Sequence, residues 1–63
     1  MKILGENLRI GDVMLMWNRK PAMIVAFQEY KGTLDFVCKI AVFADGTRQS
    51  ITYGHYYECI SRA

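Results

Sequence analysis

The chain is poor in the residues that carry chemistry near neutral pH. It has one histidine, His55, and two cysteines, Cys38 and Cys59, which do not form a C-x-x-C pair. One histidine cannot complete a zinc set with two isolated thiols. No glycine-rich phosphate loop and no carboxylate pair is present, so no cofactor or metal is expected. A charge excess of one sign is also missing. Eight Lys+Arg stand against six Asp+Glu, for a formal net charge of +2, thinner than the basic stripe of most nucleic-acid domains. No apolar run approaches the length that spans a bilayer, so no membrane partner is expected. The apolar stretch after Met1 is too short for a signal peptide. The expected compartment is the reducing cytoplasm, where the two thiols stay free. Repeats, linkers and low-complexity tracts are absent. At 63 residues a single domain buries only about 60% of the surface its unfolded chain exposes, so its stability is marginal.

What the chain does have is apolar mass and strand formers. Ala, Val, Ile, Leu, Met, Phe, Trp, Cys and Gly make up 34 of 63 residues, slightly above the usual share of roughly 45–50%. Thirteen β-branched and eight aromatic residues form a third of the chain, the types that favour strands. Gly5, Gly11-Asp12, the segment 18–21, Lys31-Gly32, Asp45-Gly46 and Gly54 divide it into pieces of strand length. Asp45-Gly46 suits a two-residue type I′ hairpin. Pairing Ala44 with Thr47 then sets Phe43/Arg48, Val42/Gln49, Ala41/Ser50 and Ile40/Ile51, with Cys38, Ile40, Val42, Ile51 and Tyr53 on one apolar face and Gln49 as its exception near the turn. Upstream, residues 13–17 alternate as a strand with Val13 and Leu15 inward and Met14 and Met16 outward. Residues 22–30 read as a central strand. A helix over residues 22–31 is the rival, because Pro21 and Gly32 also punctuate helices. Against it, Lys20 is a poor N-cap and Met23-Ile24-Val25 a poor helix start. Residues 56–61 close the series as a short strand. The expected core is Val13, Leu15, Cys38, Ile40, Ile51 and Cys59.

The run Leu8-Arg9-Ile10-Gly11-Asp12-Val13 resembles the opening of many small SH3-like barrels, in which an apolar-x-x-Gly-Asp-x-Val segment leads into the first long strand. The order of loops, tight hairpin and short closing strand over residues 8–60 is also similar to theirs. The resemblance implies an all-β fold, a single five-stranded SH3-like barrel. The alternative is an α+β fold with the helix at residues 22–31 on a hairpin sheet. No family-specific binding motif accompanies it, and fold alone does not give function.

A catalytic reading would start from His55 with Glu58 and Cys59 or Cys38. A nucleophilic cysteine needs an oriented base, and both thiols are expected in the core, so the chain reads as non-enzymatic. Protein binding is the leading expectation, through self-association or docking on a larger partner, as in small phage or bacterial accessory or inhibitor proteins. Its expected surface is Met14, Met16, Trp17, Arg19, Lys20, Phe43 and Arg48, since flexible Met and aromatic side chains suit adaptable interfaces. The alternative is a nucleic-acid-binding module using Trp17, Arg19, Lys20 and Arg48, in which cations meet phosphates beside a stacking platform. Arg48 stacked on Phe43 within the hairpin is the plain structural alternative for that pair. No small-molecule substrate is indicated.

Overall fold

The computed structural model describes all 63 residues. Six strands follow one another: β1 (Lys2–Leu4), β2 (Val13–Leu15), β3 (Pro21–Glu29), β4 (Lys39–Phe43), β5 (Arg48–Ile51) and β6 (Tyr56–Ser61), with one 3-10 turn at Gly5–Asn7. They form one antiparallel sheet in the order β1-β6-β2-β3-β4-β5. The all-β expectation holds and the helix over residues 22–31 does not form. The β-branched and aromatic content of that segment, with apolar residues on both faces, suits the nine-residue strand found there. Six strands stand where five were expected, because Lys2–Leu4 pairs with β6. The sheet is not closed, but it curls until the ends of its two edge strands meet. A methyl group added at Gly5, just past β1, would lie 2.5 Å from the Thr52 carbonyl oxygen, just past β5. Only glycine fits that approach.

Two strand phases differ from the sequence expectation. In β2 it is Met14 that is buried, at 2% exposure, while Met16 packs partly against the core and Val13 and Leu15 lie half-buried on the outer side. The cause lies one residue upstream. Asp12 is fully buried, and alternation along the chain then turns Val13 outward and Met14 inward. The register Val13↔Met23, Met14↔Ala22 and Leu15↔Pro21 carries this phase into β3.

The β4–β5 hairpin is shifted by one residue. Its pairs are Val42↔Arg48, Ala41↔Gln49, Ile40↔Ser50 and Lys39↔Ile51. The loop therefore holds three residues, not two. Gly46 has φ +88°, but Asp45 is not left-handed, so the type I′ turn is excluded. The Gly46 amide donates to the Phe43 carbonyl at 2.9 Å, and the Phe43 amide donates to the Thr47 carbonyl at 2.8 Å. The Asp45 carboxylate accepts from the Thr47 amide at 2.9 Å and its hydroxyl at 2.6 Å, a local side-chain turn that favours the longer loop. A one-residue slip exchanges the faces of a strand. Phe43 and Ala41 are buried as a result, Ile40 and Val42 are half-buried, and Cys38 is exposed. The core is Leu8, Met14, Ile24, Ala41, Phe43 and Ile51, with Cys59 also buried. Of the expected core, only Ile51 and Cys59 are in full burial.

Candidate functional site

Antiparallel succession puts the β2–β3 turn and the β4–β5 hairpin loop at the same end of the sheet. Between them lies a cleft of about 410 Å³, lined by Met16, Trp17, Lys20 and Pro21 on one side and Asp45, Thr47 and Arg48 on the other. The first wall is a tight turn. The Met16 amide donates to the Lys20 carbonyl at 3.0 Å, and the Arg19 amide donates to the Met16 carbonyl at 2.8 Å. The Lys20 amide donates to Asn18 Oδ1 at 3.0 Å. The turn closes with Arg19 at φ +62°, an uncommon conformation for a residue with a Cβ. Trp17 in this turn is 92% exposed, the most exposed large apolar side chain in the molecule.

The electrostatics of the cleft are one-sided. The only ion pairs in the molecule are the Met1 amine with Glu58 at 2.9 Å and Arg62 with Asp12 at 3.4 Å. Arg19, Lys20 and Arg48 therefore have no carboxylate partner. Asp45 faces the cleft, but its carboxylate is engaged by Thr47. The Thr47 hydroxyl and amide hold its carboxyl below the usual range. Arg48 Nη1 reaches Gln28 Oε1 at 3.5 Å, the limit of a hydrogen bond.

Of the seven residues singled out in the sequence, Met16, Trp17, Lys20 and Arg48 come together in the cleft. Arg19 is exposed in the same turn but does not line it. Met14 and Phe43 are core residues and offer no surface. Arg48 accordingly does not stack on Phe43. Its cross-strand neighbour is Val42.

A second surface follows from the inverted phase of β2, with Val13 and Leu15 in the outward places expected of Met14 and Met16. Val13 and Leu15 turn outward beside Met23, and Val25 extends the row at the bulge of β3. Ile60 adds to it at the irregularity where β6 meets β2. Met23, Val25 and Ile60 are between 42% and 51% exposed. Either phase of a strand reading Val-Met-Leu-Met leaves apolar side chains outside, so the surplus was legible while its identity was not.

The catalytic set considered from sequence is dispersed. The His55 ring meets Tyr57 edge-on with centroids 5.0 Å apart. The Cys59 thiol is buried, with the Val13 and Ser61 carbonyls both within reach of its single S–H. Glu58 holds the Met1 amine at 2.9 Å. No three His, Cys, Asp or Glu side chains gather in a metal-binding cluster. No helix is long and apolar enough to cross a membrane. No family model, curated protein or solved structure matches the chain. The surfaces themselves therefore carry the functional argument.

Proposed function

We propose that the chain is a non-enzymatic binding module of SH3-like build that acts by protein–protein interaction through the outer face of β6–β2–β3. The SH3-like reading is supported by the curl of the sheet and by the return of β6 to lie beside β2. The bulge of β3 between Ile24 and Ala26 bends the longest strand where it passes from β2 to β4.

The observation that carries the interaction reading is the row Val13, Leu15, Met23 and Val25 with Ile60 beside it. Scattered apolar residues on a surface need no explanation, but a contiguous row across neighbouring strands is the form that interaction faces take. Covering it gains roughly 25 cal/mol per Å² of apolar area. A second copy of the chain or a larger protein serves equally as the cover. The test is sedimentation of the purified chain over a range of concentrations, with capture of nuclease-treated partners by tagged protein. The Met23→Lys/Ile60→Lys variant should lose association in whichever format the wild type shows it, with an unchanged thermal transition. Association that survives the double variant, or its absence in both formats, overturns the proposal.

A further inference from the structure

The cleft is separate from the outer face, and its chemistry differs. We infer that it binds a segment of single-stranded nucleic acid, with Trp17 stacking on a base and Lys20, Arg48 and Arg19 neutralising the flanking phosphates.

Trp17 has no structural task. At 92% exposure it leaves both faces of the indole open, whereas a tryptophan retained for stability buries its ring. The hydrogen bonds of residues 16–20 fix the backbone on either side of it. An exposed aromatic with free faces is the platform on which unpaired bases stack, and such stacking tolerates any sequence.

Charge complementarity selects the rest of the ligand. Lys20 and Arg48 line the cleft with Trp17, Arg19 is exposed in the adjoining turn, and none of the three is paired with a carboxylate. Lys20 comes from the same turn as Trp17, and Arg48 from the facing hairpin. The one acidic group in the cleft, Asp45, already accepts two hydrogen bonds from Thr47. Asp45 stays anionic, so the cleft holds two cations against one carboxylate, and Arg19 in the adjoining turn raises the local excess. A volume of about 410 Å³ lies in the range of ordinary ligand clefts. A double helix hides its base faces, so the pairing of an open ring with free cations favours a single strand. DNA and RNA share this chemistry.

Trp17 is the only tryptophan in the chain, so its fluorescence reports on the site alone. Titration with oligo-dT and oligo-rU should quench it saturably, and the ratio of the two affinities identifies the source of the strand. Inorganic polyphosphate, which has charge but no bases, should quench it little. Labelled-oligonucleotide anisotropy should show binding about ten-fold or more weaker in Trp17→Ala, with most of it retained in Trp17→Phe. With about three phosphates neutralised, the slope of log affinity against log salt should be roughly −2, and Arg48→Gln should reduce it by about 0.7. Met23→Lys/Ile60→Lys should leave oligonucleotide binding unchanged, so failure here is distinct from failure of the outer face. Absence of quenching by both oligonucleotides, equal binding of polyphosphate, or undiminished binding by Trp17→Ala overturns the inference.

Discussion

Asp12 is the polar residue on which the most structure converges. It is fully buried, and its carboxylate accepts from the Arg9 amide at 2.9 Å and the Ala63 amide at 2.9 Å, with Arg62 Nη2 at 3.4 Å. Burial by itself would raise its pKa. The hydrogen bonds from Ala63 and Arg9 and the Arg62 guanidinium outweigh that and hold it below the ordinary aspartate value. A group whose folded pKa is depressed contributes stability that is complete above its unfolded pKa, about 3.9, and disappears as pH falls through the lower folded value. Melting temperature should therefore decline below about pH 4, and Asp12→Asn should flatten part of that decline. Glu6, Glu58 and Asp45 are shifted in the same direction, so a shallower slope should remain. Asp12→Ala at neutral pH should cost on the order of 3 kcal/mol, since it strands buried donors. Chemical denaturation measures this directly. In the sequence, Asp12 reads as part of a Gly-Asp turn, and nothing local marks it as an interior acid. Its partner Arg62 lies at the far end of the chain.

Strands were legible as elements, and their facing was not. β3, β4, β5 and β6 fall where turn residues and β-branched content place them. Phase was decided by features weaker than the apolar pattern. Residues 13–16 are apolar in both phases, and so are residues 40–43, so alternation could not discriminate. The Asp45–Thr47 hydrogen bonds and the buried carboxylate of Asp12 did. The consequence is measurable. Phe43→Ala should cost about 3–5 kcal/mol and leave little folded protein, whereas Ile40→Ala should cost well under half as much. Thiol labelling gives a second check. Cys38 is exposed and Cys59 buried, so under native conditions one equivalent of reagent should react quickly and the second only on unfolding. Gly46 retains the role expected of it despite the altered loop. A methyl group there would meet nothing within 4 Å, so the cost of Gly46→Ala is conformational. It should exceed about 1 kcal/mol, with Gly46→Asn milder because asparagine tolerates left-handed backbone.

For the whole molecule, composition and punctuation were enough to indicate a small all-β domain. The sixth strand escaped because Lys2–Leu4 is short and acquires its structure from a partner 50 or more positions away. The cleft was partly legible. Trp17, Arg19 and Lys20 are neighbours in sequence, and Arg48 follows the hairpin turn, so turns at one end of an antiparallel sheet were bound to bring them near. The outer face was legible only as a surplus. Apolar side chains of residues 13–16 had to lie outside in either phase, but which ones depended on a carboxylate whose burial no local pattern announces.

The placement of β6 has a kinetic consequence. It lies between β1 and β2, and both partners precede it by most of the chain's length. β3, β4 and β5, by contrast, are neighbours in both sequence and space. Closing short loops costs less entropy than closing long ones, so the β3–β4–β5 meander should form first and the docking of β6 last. Ala41→Gly should then mainly slow refolding, while Cys59→Ala and Asp12→Asn should mainly speed unfolding, as the two limbs of a chevron plot would separate. On the ribosome, the Ala63–Asp12 hydrogen bond, which spans 51 positions, cannot form until residue 63 has cleared the exit tunnel. The nascent chain should stay protease-sensitive until that moment and become resistant in one late step.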